Sequence, residues 1–231
     1  KREKKTIAAF GMLLLICILP LIFRHARTTA NGSNQLGPQQ VYPEHEPIII
    51  QHEDDFPLLG FEGSGTIEDP YIIENLTITS AGYAIHVEFG VDAVFTIRNC
   101  RILGSEGNTA ELIWIGNGDY CKLEGLYVEG GGIGIDIRDG YRTSIASCVV
   151  LDCELGYKFY SGREITVSSC IAAGGSNGIW CNRIVNCSFM DNRVYSNMFW
   201  GLAFMERAFN HSILNNSFGW NGGTIPPLEI E

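Results

Sequence analysis

The stretch Ile97-Arg98-Asn99-Cys100-Arg101-Ile102 decides how this chain is read. An aliphatic residue is followed two positions on by a small turn-former, then by an apolar residue, then by another apolar residue two further on. The same frame occurs at Ile73-Asn75-Leu76-Ile78, Leu123-Gly125-Leu126-Val128 and Ile145-Ser147-Cys148-Val150. It returns at Val167-Ser169-Cys170-Ala172, Ile184-Asn186-Cys187-Phe189 and Ile213-Asn215-Asn216-Phe218. A spacing of two is a strand, and the step of three between the pairs flips the register, so a corner lies there. Asn, Gly and Ser occupy the corner, and Asn and Gly accept left-handed backbone at least cost. Repeats of this length mark solenoids. Two short strands meeting at such a corner, stacked seven times, predict one side of a right-handed parallel β-helix.

A further strand lies mid-repeat. Its apolar pairs 113/115, 135/137, 157/159 and 179/181 advance by 22 residues each time, with looser copies at Gly82–Val87 and Gly201–Phe204. A leucine-rich repeat is excluded by its missing leucine consensus. The fold class is therefore all-β, a solenoid of about seven coils over residues 47–223, preceded by one N-terminal hydrophobic helix.

Lys1-Arg-Glu-Lys-Lys5 precedes an apolar run over 7–23 and then Arg24-His-Ala-Arg27. A basic flank before such a run reads as a signal peptide or signal anchor over 1–30, with membrane attachment through that helix. The remainder is expected to be exported, extracellular or at the cell surface. Residues 31–46, rich in Asn, Gly, Gln and Pro, read as a linker. Pro47-Ile-Ile-Ile50 is expected to cap the open N-terminal end, and Gln51–Phe56 reads as a solvated acidic loop. Residues 224–231 read as a tail beyond the last coil. No amphipathic helix follows to cover that coil, so further chain or a partner is expected there.

Gly63-Ser-Gly-Thr66 and Asp69-Pro-Tyr-Ile-Ile-Glu74, followed by the Asn-Cys-Arg-Ile rungs, resemble the right-handed β-helix repeat proteins of the NosD-like, carbohydrate-binding and sugar-hydrolase group, which share the pectin-lyase-like fold. The resemblance covers roughly Pro43 to Gly223. It implies a secreted or surface solenoid. The group includes sugar-processing enzymes and periplasmic helpers in copper-site assembly, and the fold does not choose between them.

The chain carries a net charge of −10. Residues 1–30 hold six basic residues and one acid, which leaves 10 basic and 25 acidic, a net of −15, for the rest. That balance excludes nucleic acid and anionic membrane surfaces as partners. It leaves polysaccharides or surface proteins. Cys100, Cys148, Cys170 and Cys187 read as small hydrophobes in one inward slot, with Cys181 inward on the mid-repeat strand and Cys121 and Cys153 nearer the corners. No Cys-x-x-Cys occurs, and no metal or cofactor is assigned. Asp54, Asp55, Glu68 and Asp69 are the carboxylates that calcium would use. The sequons at Asn75, Asn186 and Asn215 fall on corner residues whose amides are expected to be engaged in the stack, which leaves Asn31 and Asn210 as the freer ones.

The 22-residue step also aligns outward residues. Trp114, Asp136, Lys158 and Trp180 form one column, and Gly116, Arg138, Tyr160 and Asn182 the next. His86 and Glu88 extend the face by a coil. Aromatic rings stack on sugar faces and Asp, Arg and Asn bind hydroxyls, so Trp114, Asp136, Arg138, Lys158, Tyr160, Trp180 and Asn182 are the candidate ligand-binding residues. A lyase would take its base from Arg138 or Lys158. A glycosidase needs a second carboxylate within about 5–9.5 Å of Asp136, and none stands in these columns. A cross-strand Asp136–Lys158 ion pair is the plainer reading of that pair. The sequence thus favours a non-catalytic binder of glycans or proteins. The alternatives are a polysaccharide lyase or glycoside hydrolase using the same face, and an accessory assembly protein. Trp114 and Trp180 must be exposed for a sugar platform to exist.

Overall fold

Left-handed corners set the cross-section. In the computed structural model, which describes residues 41–221, the corner positions Asn75, Asn99, Gly125, Ser147, Ser169, Asp191 and Asn215 all have φ between 51° and 60°. Each joins a strand of one sheet to a strand of the next. Three seven-stranded parallel sheets result. The first contains Ile48–Ile50, Ile85–Val87, Glu111–Ile115, Ile133–Arg138, Leu155–Tyr160, Asn177–Asn182 and Trp200–Phe204. The second runs from Tyr71–Glu74 to Ser212–Leu214 and the third from Thr77–Ser80 to Ser217–Gly219. Every pairing joins a strand to its counterpart one coil away, so the architecture is the right-handed parallel solenoid that the corner frame predicts. The N-terminal hydrophobic helix, the anchor over 7–23 and the tail over 224–231 lie outside the described residues. Among those described, no helix is long and apolar enough to cross a membrane.

One coil is displaced from the expected register. Phe189, not Ile184, pairs with Val167 and Ile213. Asp191 is accordingly the corner, and the steps 167–189–213 are nearly regular. The frame at Ile184-Asn186-Cys187-Phe189 imitates a rung because Asn186 is itself a left-handed corner (φ 56°), of a second kind shared with Tyr120, Arg142, Glu164 and Asn210. Cys187 therefore leaves the column of Cys100, Cys148 and Cys170 and stacks between Ile165 and His211.

The N-terminal end also differs. Ile48–Ile50 is the first rung of the first sheet, paired with Ile85–Val87, rather than a cap. The cap comes from the run expected to be a solvated loop. Asp55–Leu58 is a short helix whose Phe56 is fully buried. That ring lies 4.6 Å from Tyr71 and 5.5 Å from Phe95, closing the core. Asp55 fixes the turn by accepting from the Gln51 and His52 N–H groups, which holds its carboxyl below the usual range. Residues 43–45, assigned to the linker from composition, belong to the solenoid: Thr77 donates to the Pro43 carbonyl and His45 to the Thr77 carbonyl.

The core is a stack of like side chains, Ile113/Ile135/Tyr157/Ile179 and Ile115/Ile137/Phe159/Cys181 on the first sheet, all buried. A glycine column turns the sheet inward beside them. A Cβ on Gly156 would stand 2.5 Å from the Gly178 carbonyl oxygen, and one on Gly178 would stand 2.2 Å from Val194 Cγ1. These sites admit no side chain because adjacent coils approach too closely, and backbone dihedral strain is not involved.

The cysteines do more than fill space. A left-handed corner leaves the N–H of the next residue pointing inward, away from its sheet ladder. The Leu126 N–H is met by Cys148 Sγ and the Cys148 N–H by Cys170 Sγ, each one coil on. Cys170 N donates to Asn192 Oδ1 (2.9 Å) and Asn192 N to Asn216 Oδ1 (2.9 Å). The donors run the other way. Cys148 Sγ and Cys170 Sγ reach the carbonyls of Leu123 and Ile145 at 3.5 and 3.7 Å, and Asn192 Nδ2 reaches that of Val167 at 2.9 Å. Thiol and amide thus play one role in one column. A parallel column runs Gly131 N to Cys153 Sγ, Gly175 N to Asn197 Oδ1 and Asn197 N to Asn221 Oδ1. Burial lifts Cys100, Cys153 and Cys187 to about 11 and Cys121 to about 12, so these remain S–H donors at neutral pH. All seven described cysteines are free and buried.

His211 fills the same role for Cys187, accepting its N–H at Nδ1 (3.3 Å) while stacked on Phe204. Burial lowers its pKa below 6.5. The unfolded chain therefore binds the extra proton first, and stability falls as pH drops below about 6.5 and on through the folded value. Thermal unfolding at pH 7.5 and 5.5 is expected to show a loss at the lower pH that His211→Asn abolishes, since Asn serves the other corners without titrating.

Of the sequons, Asn186 Oδ1 accepts from Asn210 Nδ2, so Asn210 is engaged rather than free. Asn75 and Asn215 are exposed corners, against the expectation that stacking would occupy them.

Candidate functional site

The outer face of the first sheet carries three columns. Strand pairing aligns Glu111, Ile133, Leu155, Asn177 and Trp200 in the first, and His86, Trp114, Asp136, Lys158, Trp180 and Ala203 in the second. Arg138, Tyr160 and Asn182 align in the third, with Gly116 at the corresponding place one coil earlier. Parallel strands lie about 4.8 Å apart, so side chains two coils apart can share one ligand.

Asp136 is the centre of the face and is wholly buried. Its Oδ2 receives Lys158 Nζ at 2.9 Å, Arg138 Nη2 at 2.9 Å and Arg138 Nε at 3.2 Å. Its Oδ1 has no partner. The cross-strand pair is therefore real and extends to a triad. Arg138 is also 3.8 Å from Glu111, and its guanidinium lies 5.5 Å from the Trp114 ring centroid. The hydrogen bonds that Arg138 donates to Asp136 push its pKa above even its ordinary value. Arg138 is thus a worse base than a free arginine, and Lys158 spends a proton on the carboxylate.

Trp114 does not offer a stacking face. It is 6% exposed. His86 stacks on it at 4.5 Å and 11°, and Phe89 meets it edge-on at 5.1 Å. The cover comes from these residues and Arg138. His86 is fixed in turn by Glu88, Nε2 to Oε2 3.0 Å, and by Tyr83 packed against it at 4.5 Å. Burial raises the Tyr83 pKa, with Glu111 and Asp136 adding to it against Arg138.

Trp180 is half-buried. Asn177 and Asn182 stand either side of it on one strand. Each has its Oδ1 buried without a partner. Tyr160, one coil earlier, accepts from Arg183 Nη1 at 3.1 Å and lies 5.7 Å beneath that guanidinium. Arg183 leads into a groove at the adjoining corner, a cavity of about 650 Å³ lined by Asp119, Asp139, Tyr141, Ser161, Arg163 and Glu164 among others. Burial raises the Asp119 pKa, opposed by the N–H it accepts from Tyr141 and by Arg163.

The structure therefore brings Lys158, Tyr160, Trp180 and Asn182 together on one half-buried patch of the outer face and covers Trp114 and Asp136 with their neighbours. Sequence reasoning missed Glu111, Asn177 and Tyr83. Counting in twos from Ile113 makes Glu111 inward, but Leu112 and Ile113 both face the core and the alternation breaks between them. The corner groove was missed because its bridges, Tyr141 to Arg163 to Val185, are single residues that keep the 22-residue step but share no side-chain type. The four carboxylates suggested for calcium are not assembled: Asp55 caps its turn, and the Asp69 N–H is held by Thr66. Among the described residues no group of three or more His, Cys, Asp or Glu is placed to hold a metal.

A seven-coil parallel solenoid bearing an aromatic and polar patch on one sheet is the class these features define. The chain belongs to the right-handed β-helix family: the model described as "Right handed beta helix region" matches residues 59–218. Among solved structures it is similar to an alginate lyase from a Paenibacillus species, at 13% identity and a TM-score of 0.54, covering 78% of this chain and 68% of that one. It is also similar to a proposed glycosyl hydrolase from Parabacteroides merdae, at 9% identity and a TM-score of 0.46, covering 76% and 97%. At these identities the likeness is one of fold. No curated protein matches.

Proposed function

We propose that this is an exported, surface-associated β-helix that binds glycans without transforming them. The observation that supports it is Trp180, half-exposed between Asn177 and Asn182, with Lys158 and Tyr160 on the preceding coil. An aromatic face with amides at both edges matches a sugar ring, which is apolar on its faces and hydroxylated at its rim. The residues a catalyst would use are committed elsewhere. Asp136 is sealed, and its two cations are both spent on one of its oxygens.

Trp180→Ala is expected to weaken binding to a recognised oligosaccharide by at least roughly ten-fold, the scale of one lost aromatic stack, with circular dichroism unchanged. A glycan array followed by calorimetry measures this. An unchanged affinity, or no glycan bound by the wild type, would refute the reading.

A lyase or hydrolase is the second reading, favoured by Glu111. That carboxylate lies 3.8 Å from Arg138 and supplies a second acid on the same sheet face as Asp136. Shortened or unsaturated oligosaccharide products after prolonged incubation would establish it.

A further inference from the structure

The corner groove beside the sugar patch is polarised along the solenoid axis. Asp119 and Asp139 lie on its N-terminal coils, and Arg163 and Arg183 on the two coils that follow. The acidic side is partly spent. Asp119 Oδ1 accepts the Tyr141 N–H, and Glu164, the lining carboxylate beside Arg163, is bound by Arg142 Nε at 2.7 Å. The basic side is not. Arg163 is exposed, and its guanidinium lies over Tyr141 with Cζ 4.4 Å from the ring centroid. Among the described residues it makes no ion pair within 4 Å and donates no side-chain hydrogen bond. Arg183 donates to the Tyr160 hydroxyl, and its only carboxylate, Glu206 at 3.5 Å, is 72% exposed. A pair so exposed is worth little in water.

A guanidinium held over an aromatic ring, with its N–H donors free, is a preorganised receptor for a planar or tetrahedral oxyanion. Ser161 and Gly162 lie in the chain directly before Arg163 and also line the groove, leaving room for an incoming group. The groove adjoins the sugar patch through the Tyr160–Arg183 contact.

Resting on the glycan-binding reading, we propose that the Arg163–Arg183 end of this groove receives an oxyanion substituent of the bound glycan, a sugar carboxylate or sulfate ester, while Trp180 takes the ring. The patch then selects acidic chains over neutral ones, although the protein as a whole is acidic. Arg163 supplies the discrimination and Tyr141 holds it in place.

Three matched oligosaccharides test this: a uronate oligomer, its carboxyl-reduced neutral form, and a sulfated derivative of the neutral form. Wild-type protein is expected to bind at least one acidic form roughly ten-fold more tightly than the neutral one. The preferred form identifies carboxylate or sulfate as the natural group. Arg163→Gln is expected to erase the preference and to leave the neutral affinity as it was. Trp180→Ala should lower all affinities together, and Lys122→Gln, an exposed change on the second sheet, should alter nothing. Equal affinity for acidic and neutral forms, or a preference surviving in Arg163→Gln, overturns the proposal. If no oligosaccharide binds, the glycan reading itself fails. Sodium sulfate titrated against the Arg Nε–Hε resonances then decides the groove alone. A saturable shift lost in Arg163→Gln upholds an oxyanion site, and its absence overturns it.

Discussion

Asn192→Leu is expected to be among the most damaging single changes in the solenoid, costing about 3 kcal/mol or more. Leucine has the same branching and heavy-atom count and is larger, so no cavity explains the loss. The change strands the Cys170 N–H and the Val167 carbonyl, each bonded to Asn192 at 2.9 Å, and leaves Asn216 Oδ1 with only the backbone N–H of residue 192 as donor. Each buried orphan costs about 1–3 kcal/mol. The converse change separates this account from simple packing. Cys170→Asn is expected to hold stability within about 1 kcal/mol, because an amide there has Asn192 above it and the Ile145 carbonyl beneath it, as Asn192 has its own partners. Cys170→Ala, which leaves the Cys148 N–H bare, should cost about 1–3 kcal/mol. Urea unfolding of the three variants gives the ranking. Equal losses for Asn192→Leu and Cys170→Asn would mean that volume, not hydrogen bonding, governs the column.

The second large effect concerns the clamp on Asp136. Removing both cations in Arg138→Leu/Lys158→Leu leaves a fully buried carboxylate with neither partner, a change expected to cost about 3–5 kcal/mol. Adding Asp136→Leu to that pair should recover much of the loss, because the isolated charge disappears. The triple variant is then more stable than the double, and denaturant titration of the two reads the difference directly. If the double variant keeps wild-type stability, the carboxylate is being satisfied by something other than its two neighbours.

How far the chain could be read from its letters follows from where period survives. Strands of two or three apolar steps joined by left-handed residues gave their own positions, since one residue of slip would turn Ile97 or Ile145 out of the core. The error at Ile184 arose because two kinds of left-handed corner coexist, and Asn186 belongs to the other. Spacing alone cannot separate them where one coil's loop mimics another's frame. The clamp was half legible: a 22-residue step places Asp136 beside Lys158, but Arg138's fold-back along its own strand depends on side-chain geometry. Trp114 and Trp180 share a column and an identity yet differ in exposure, because Phe89 reaches over the first from a loop whose path leaves no periodic trace. The groove residues Tyr141, Arg163 and Arg183 meet only through the winding of successive corners.

The direction in which the corner contacts run carries a consequence for how the protein is made. Acceptors for the Leu126, Cys148, Cys170 and Asn192 N–H groups all come from the following coil, never the preceding one. A nascent chain leaving the ribosome would therefore hold its newest corner unsatisfied until about 22 more residues have emerged, so maturation trails synthesis by one turn and proceeds from the Phe56 plug outward.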